Sequence, residues 1–165
     1  MRPDFYSGLI WSMTMGAEVL AVNYSSPTTR AYAHCETGGG GRVTLLLINL
    51  SRELADVSIE LPSGAAADTV SEAGDGAGGK VAAAEYVLRG GDGGATNSTR
   101  VDLNGEPLLL RSNGSLPLEL LRAQPSKLRR NKKGDVLGPY EMKGYSVSFL
   151  QLPGVGAALG CTGAA

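Results

Sequence analysis

The chain has 165 residues, of which 42% are hydrophobic, and its mean hydropathy is -0.03; this size and balance predict one soluble globular domain. Its net charge of -1 argues against nucleic acid as the main partner, because no broad basic surface is implied. The 24 glycines are concentrated in a few tracts, so we expect an ordered core smaller than the length suggests.

No apolar run approaches the roughly 20 residues of a spanning helix, and nothing after Met1 resembles a signal peptide. We therefore expect neither a transmembrane segment nor an export signal in this chain. Four Asn-x-Ser/Thr sequons and two cysteines nevertheless suggest an oxidising, glycosylating compartment. At this point the cysteines, Cys35 and Cys161, can be free thiols or a bridge. The glycosylation candidates are Asn23, Asn49, Asn97 and Asn113.

Residues 3–16 are predicted to form a short helix that begins at Pro3 and ends at Gly16. Its apolar face is wide, which suits a helix packed against a larger body, and the alternative that it caps the local core stays open. The side chains of this face are Phe5, Tyr6, Ile10, Trp11 and Met13.

Residues 18–22 and 29–35 are strand candidates separated by a turn. We expect His34, the one histidine of the chain, to be a strand residue, and this count excludes a zinc site. His34 and Cys35 cannot form a nucleophilic pair because adjacent strand residues point to opposite faces.

Residues 42–51 are the segment with the clearest strand pattern, because they are rich in Leu, Ile and Val and follow a glycine turn at 38–41. This pattern predicts a strand that is buried on both faces at the centre of a sheet. Residues 56–61 alternate as a half-exposed neighbouring strand would. Residues 63–83 offer little to bury and are predicted to be a long mobile loop. The glycines of this predicted loop, which include Gly76, Gly78 and Gly79, match no phosphate-binding pattern.

The remaining chain contains further strand and turn signals. Seven or eight short strands after one helix are typical of an antiparallel β-sandwich, so the predicted fold class is mainly β. The segments are a strand at 85–89, a glycine tract to residue 94, a hairpin around Asn104-Gly105, an irregular segment at 116–121 and a terminal strand at 145–152.

Residues 127–133 carry the one basic cluster of the sequence. Such a cluster can bind sulfated polysaccharide or phosphate, although a charge run is more often a solvated loop. The candidate polyanion-binding residues are Lys127, Arg129, Arg130, Lys132 and Lys133.

Several stretches match, in order and spacing, a pattern that covers nearly the whole chain. They are Pro3-Asp4-Phe5-Tyr6, Leu9-Ile10-Trp11, Met15-Gly16, Val19 to Val22, Arg30 to Cys35, Val43 to Ser51, Glu85 to Leu88, Leu103-Asn104-Gly105 and the closing strand with Cys161. Together they resemble the C-terminal end of the heparanase family, the endo-β-glucuronidases of glycoside hydrolase family 79, and in particular its plant-type members.

The resemblance implies a (β/α)8 catalytic barrel joined to a β-sandwich. Residues 1–16 would be the last barrel helix and residues 17–165 the sandwich, with flexible loops at about 63–83, 90–99 and 127–135. The wide helix face would then pack against the barrel. The resemblance also implies that Cys35 and Cys161 pair.

Retaining glycosidases need two carboxylates. In this family both are glutamates on barrel strands, the acid/base following an asparagine, and no Asn-Glu pair occurs here. No catalytic residue is therefore assigned, Glu85 and Glu141 are expected to be surface strand residues, and no cofactor or metal is expected.

The resemblance implies a parent enzyme that hydrolyses β-glucuronide linkages, secreted or membrane-associated, in the cell wall, the extracellular space or a lysosome- or vacuole-type compartment. The chain alone would support the barrel and not catalyse. Two alternatives remain open: a stand-alone sandwich that binds acidic polysaccharide through residues 127–133, and an interaction module that needs a barrel partner in trans.

Overall fold

The structure is a computed structural model that describes residues 3–38, 41–65, 67–70, 79–115, 117–133 and 135–161. Within these ranges no helix is long and apolar enough to cross a membrane. The elements are α1 (Pro3–Thr14), β1 (Val19–Leu20), β2 (Thr29–Cys35), β3 (Val43–Asn49), β4 (Ala55–Glu60), β5 (Thr69–Val70), β6 (Lys80–Val81), β7 (Ala84–Gly90), α2 (Gly91–Gly94), β8 (Val101–Leu103), β9 (Glu106–Pro107), β10 (Gln124–Pro125), β11 (Val136–Met142), β12 (Ser146–Leu152), and 3-10 turns at Leu118–Leu120 and Ala157–Leu159.

The main sheet is antiparallel, with strand order β1-β2-β3-β12-β7-β8-β9 and β10 paired to β7. The prediction that residues 42–51 contain a buried strand is confirmed, because every residue of β3 except Ile48 is buried. The strand predicted at 145–152 is confirmed as β12, which lies between β3 and β7. Two buried strands therefore share the centre of the sheet.

The prediction that residues 56–61 neighbour β3 is wrong. They form β4, which pairs with β11 in a second, two-stranded antiparallel sheet. A half-exposed alternation suits either sheet of a sandwich equally well, so the pattern cannot name the partner strand. β11 has no clean sequence signal because Gly138 and Pro139 interrupt it, and its register with β4 shifts at that point.

Two apolar cores lie on the two faces of the main sheet. The first packs between the two sheets and includes Leu47, Leu137 and Leu150. The second packs between the opposite face and α1, and includes Tyr6 and Phe149. The mainly β architecture, a sandwich that follows one helix, is confirmed.

Residues 63–83 differ from the predicted long loop. β5 and β6 pair as a short ladder, and three side chains of this stretch belong to the first core. Small side chains can fill the margin of a sandwich without an apolar repeat, which is why the sequence gives no sign of their burial. Residues 66 and 71–78, with Gly76 and Gly78, lie outside the described residues. The buried side chains are Ala67, Val81 and Ala83.

The predicted Asn104-Gly105 hairpin is confirmed between β8 and β9. Asn104 has φ 54° and Gly105 has φ 90°, the two positive angles that a type I′ turn requires. Asn104 Oδ1 also accepts a hydrogen bond from the Val87 amide at 2.8 Å, so the turn is attached to β7.

Gly144 lies where no side chain fits. A Cβ atom there would be 1.9 Å from the Arg52 carbonyl oxygen. We expect Gly144→Ala to lower the free energy of unfolding by about 1 to 3 kcal/mol because the backbone must shift. Gly8→Ala is the control: its Cβ meets nothing within 4 Å in α1, and alanine should stabilise by about 0.5 to 1 kcal/mol. Urea unfolding of both variants tests the opposite signs.

Candidate functional site

A groove of about 740 Å³, lined by charged and apolar side chains, lies between the main sheet and the second sheet. Residues at alternate positions of β7 point into it, since side chains two apart on a strand share one face. β11 and the β4 residue Asp56 contribute to the opposite wall. The lining residues are Asp56, Glu85, Val87, Arg89, Asp102, Asn104, Gly105, Gln124, Lys127, Leu128, Pro139, Tyr140, Glu141 and Lys143.

Glu85 is only 8% exposed, so the prediction that it is a surface strand residue is wrong. It stands on the inner face of β7, directly opposite Leu150 of β12. Its Oε1 accepts a hydrogen bond from Gln124 Nε2 at 2.9 Å, and Oε2 is enclosed by the fold.

The Tyr140 hydroxyl faces this carboxylate from the second sheet. Burial raises the pKa of Tyr140 above its ordinary value of 10.0, and the negative charge of Glu85 and the hydrogen bond that the Tyr140 hydroxyl donates to this carboxylate add to the rise. Ser148 lowers the pKa of Tyr140 and so offsets part of this rise. The Ser148 Oγ atom makes no hydrogen bond of good geometry within the described residues. Tyr140 is therefore a neutral phenol over the whole ordinary pH range.

The raised pKa of Tyr140 predicts a loss of stability in alkali. The folded protein keeps the phenol proton that the unfolded chain releases above pH 10.0, so stability is fully present below that pH and falls as pH rises toward the folded pKa. The slope approaches about 1.4 kcal/mol per pH unit. Tyr140→Phe should reduce this slope in denaturant unfolding between pH 9 and 11.

Tyr24 supplies the matched control for this test, because it is an exposed tyrosine whose hydroxyl is absent from the groove. Tyr24→Phe shows what the loss of a phenol outside the groove does in the same measurement. Equal slopes for the parent chain and Tyr140→Phe would contradict the assignment.

Glu141 enters the groove from β11 in a different state. Its side chain is 52% exposed and forms an ion pair with Lys143. The hydrogen bond from Lys143, with its charge, lowers the pKa of Glu141. A glycosidase acid needs a raised pKa, so this lowered pKa argues against Glu141 as such an acid.

Cys35 and Cys161 form a disulfide, with a Cα–Cα distance of 5.5 Å, which confirms the predicted pair. Glu18 lies beside both sulfurs, and the three residues are within reach of one ion. Because both sulfurs belong to the bridge, they are not free thiolates for a metal.

His34 is a structural residue of β2, as expected. Its Nδ1 lies 2.7 Å from the Gly16 carbonyl oxygen, and its ring packs edge-on against Trp11. The ring thus joins the end of α1 to the sheet.

The basic cluster is anchored between strands. Leu128 is buried in the first core, and Arg129 and Arg130 form isolated bridges to Lys80 and Leu137. The cationic side chains are exposed, except that Arg130 is half-buried. Lys127 lines the groove, so the cluster and the groove adjoin.

The four sequons differ in exposure. Asn23, Asn97 and Asn113 are exposed. Asn49 is 1% exposed, and its Nδ2 donates to the carbonyl oxygens of Glu53 and Lys143. Both amide hydrogens are used, so Asn49 cannot carry a glycan in this fold, which corrects its place among the candidates.

We expect Asn49→Gln to leave the glycan mass unchanged when the chain is expressed in the secretory pathway of a glycosylating host. Asn97→Gln and Asn113→Gln are the positive controls: loss of one glycan on either variant would show that the host glycosylates sequons of this chain. Intact mass spectrometry measures both, and a glycan lost from Asn49→Gln would contradict the structure.

The apolar face of α1 is divided. Tyr6 and Ile10 are buried against the main sheet, which corrects the expectation that they contact a barrel. Phe5, Trp11 and Met13 are exposed. The alternative that the helix caps the local core therefore holds for Tyr6 and Ile10, and packing of the exposed side chains against a larger body stays a prediction.

No family model matches the chain. It is 29% identical to heparanase-like protein 2 of Arabidopsis thaliana over 171 aligned residues, which cover 92% of this chain and 29% of that protein. The chain is related to the plant heparanase-like proteins. Heparanase-like protein 3 of the same plant is 32% identical over 70% of this chain and 24% of its own length.

Heparanase-like protein 1 of Arabidopsis thaliana is 48% identical over 64 residues, which are 38% of this chain. The chain thus spans between 11% and 29% of the lengths of these heparanase-like relatives. A solved GH51 arabinofuranosidase from Xanthomonas axonopodis pv. citri superposes on 81% of this chain and 21% of its own, with 15% identity and a TM-score of 0.43.

Proposed function

We propose that the chain is the sandwich part of a heparanase-like glycoside hydrolase of family 79, where it supports a catalytic barrel and does not itself catalyse. The observation that carries the proposal is the alignment of 92% of this chain with 29% of heparanase-like protein 2. The parent would hydrolyse β-glucuronide linkages in acidic glycans, in a secreted, cell-wall or vacuole-type location.

The open side of α1 supports the barrel as partner. Phe5, Trp11 and Met13 are each at least 39% exposed beside buried residues of the same helix. Trp11 and Met13 lie on opposite flanks of the helix and Phe5 lies between them on the exposed side, so a partner that covers the outer side of α1 would contact all three. In this proposal α1 lies between the barrel and the main sheet.

The carboxylates of the groove support the absence of catalysis. Among the described residues Glu85 is the one buried carboxylate, and the Glu141 that shares its groove has a lowered pKa. A retaining glycosidase needs an acid/base and a nucleophile as a pair. The residues that would perform the reaction are proposed to lie on the barrel.

A chimera tests this function. The aligned region of heparanase-like protein 2 is replaced by this chain, and hydrolysis of p-nitrophenyl β-glucuronide is followed. We expect the chimera to hydrolyse the substrate and the chain alone to release no product. Activity of the chain alone, or an inactive chimera that is folded and monodisperse while the unmodified relative is active, would overturn the proposal.

Variants of α1 sharpen the same test. In the chimera, Trp11→Asp should weaken docking of the sandwich and lower the thermal stability of the assembled enzyme, whereas Glu119→Gln, remote from α1 in the sequence, should not. Trp11→Asp should have a smaller effect on the isolated chain, because the side chain is already 39% exposed there.

A second candidate, binding of acidic polysaccharide, is favoured by the anchored basic cluster at residues 127–133. Its side chains project from a segment fixed by buried Leu128. Binding should weaken as salt rises, because exposed charges are screened. Affinity chromatography on heparin with Lys132→Ala/Lys133→Ala tests it, and retention unaffected by the double change would reject the candidate.

A further inference from the structure

Three side chains with metal-binding atoms meet where the C-terminal tail joins the main sheet. Cys35 ends β2, Cys161 follows the last 3-10 turn, and Glu18 lies beside β1, where its carbonyl oxygen accepts a hydrogen bond from the Cys35 amide at 3.0 Å. The Glu18 carboxylate and the two sulfurs all lie within 4.8 Å of one another. Among the described residues no other group of His, Cys, Asp and Glu side chains is this close.

The disulfide excludes a metal from this group only while the bridge exists. Every disulfide is formed from two thiols, so the chain passes through a thiol form, and a reductant restores that form. Reduction by a phosphine breaks the S–S bond, transfers the oxygen of one water molecule to phosphorus and leaves one proton on each sulfur. Two thiolates and one carboxylate at this separation carry three negative charges, which a divalent cation offsets.

The geometry of the group fits a zinc ion. Zinc binds thiolate sulfur at about 2.3 Å and carboxylate oxygen at about 2.0 to 2.2 Å, so its tetrahedral ligands are about 3.5 to 3.8 Å apart. The Cα atoms of Cys35 and Cys161 are 5.5 Å apart, and rotation of the two side chains brings the sulfurs of the thiol form to that separation. Glu18 supplies the third ligand, and the fourth position is left to water.

The ligand types and the surroundings also favour zinc. Thiolates suit Zn²⁺, whereas Mg²⁺ and Ca²⁺ take oxygen ligands. Cys35 is buried, but Glu18 and Cys161 are half-buried, so an ion can reach the group from the side of these two residues. Cys161 packs against the first core, and such a partly dry position strengthens the attraction between the ion and its ligands.

We propose that the thiol form of this chain binds one Zn²⁺ ion through Cys35 Sγ, Cys161 Sγ and a carboxylate oxygen of Glu18. The ion displaces the two thiol protons, which pass to the solvent. Metal and disulfide exclude each other, and each holds the C-terminal tail against the main sheet. Zinc thus takes the place of the bridge wherever the chain is folded but not oxidised. All three protein ligands belong to this chain, so the site does not depend on a barrel.

Thermal unfolding of the full chain in a phosphine reductant, with and without Zn²⁺, tests the proposal. Zinc at a hundredfold excess over its dissociation constant should raise the melting temperature of the reduced chain by about 5 to 10 °C, because it binds the folded state. The same concentration of Mg²⁺ should cause no shift, and Zn²⁺ should not shift the oxidised chain. Titration of the reduced chain with Co²⁺ should give thiolate-to-metal charge-transfer absorption that saturates at one ion per chain.

Glu18→Gln tests the third ligand, because it keeps both cysteines and the size of the side chain. It should weaken metal binding at least about tenfold, since even the loss of a hydrogen bond that supports a metal ligand costs about 10- to 100-fold. Glu119→Gln is the matched control, because it removes an exposed carboxylate outside the group, and it should bind zinc as the parent chain does. Replacing Cys35 and Cys161 together by serine should abolish binding.

Four outcomes would overturn the proposal: zinc leaves the melting temperature of the reduced chain unchanged, zinc shifts the oxidised chain equally, Glu18→Gln binds as tightly as the parent chain, or bound Co²⁺ shows no thiolate charge-transfer absorption. If the reduced chain is unfolded without metal, far-ultraviolet circular dichroism replaces melting. Zinc must then restore the folded spectrum of the parent chain but not of the double serine variant, and no restoration rejects the site. Failure of the barrel chimera leaves these measurements unaffected, so the two proposals can fail separately.

Discussion

Replacing Cys35 and Cys161 together by serine is expected to lower the free energy of unfolding by about 3 to 5 kcal/mol. The bridge spans a sequence separation of 126 residues, so its loss restores much conformational entropy to the unfolded chain. Cys35 is also buried beside the first core, where a serine hydroxyl is less favourable than sulfur. The melting temperature should fall by roughly 10 °C.

Differential scanning calorimetry with and without dithiothreitol measures this effect and contains its own control. The reductant should lower the melting temperature of the parent chain toward that of the double variant and leave the variant unchanged. Equal melting temperatures of the two proteins without reductant would contradict the expectation.

Phe149→Ala is expected to destabilise the protein by about 3 to 5 kcal/mol. Phe149 is 1% exposed and stands on β12 opposite Leu46 of β3 and Tyr86 of β7, under the buried side of α1. Its removal leaves a cavity that three elements border. The neighbouring sheet backbone cannot collapse into it without breaking ladder hydrogen bonds.

Val147→Ala is the matched control, because Val147 faces the same core from the same strand but is only partly buried. Its cost should be well below that of Phe149→Ala. Guanidinium unfolding followed by Trp11 fluorescence measures both variants and also reports α1. A loss below about 1.5 kcal/mol for Phe149→Ala would contradict the described packing.

The sequence predicts the positions of the strands better than it predicts which strands pair with each other. β2, β3, β7 and β12 carry β-branched or alternating apolar residues, and these local signals place them within a residue or two. The pairing of β4 with β11 instead of β3 depends on how two sheets face each other, which a period of two cannot encode. β11 is not predicted because Gly138 and Pro139 interrupt its strand pattern, and prediction from sequence depends on such local patterns.

The candidate site was harder to predict than the fold. Glu85 follows an alanine in a short strand, and nothing nearby distinguishes it from an exposed strand glutamate. Its burial depends on Tyr140 and Gln124, which are 55 and 39 positions away along the chain. A usable signal was the phase of β7: Tyr86 and Leu88 share one apolar face, and Val87 lies on the other face beside Glu85, so both faces of this strand carry a residue that packs.

The position of β12 has a consequence for the order in which the protein can be made. Among the described strands, β1-β2-β3 and β7-β8-β9 are joined in the main sheet through β12 alone, and β12 follows all of them in the sequence. During synthesis both groups leave the ribosome with an unpaired edge, which can pair with another nascent chain. Folding of the complete main sheet must therefore wait for residues 146–152.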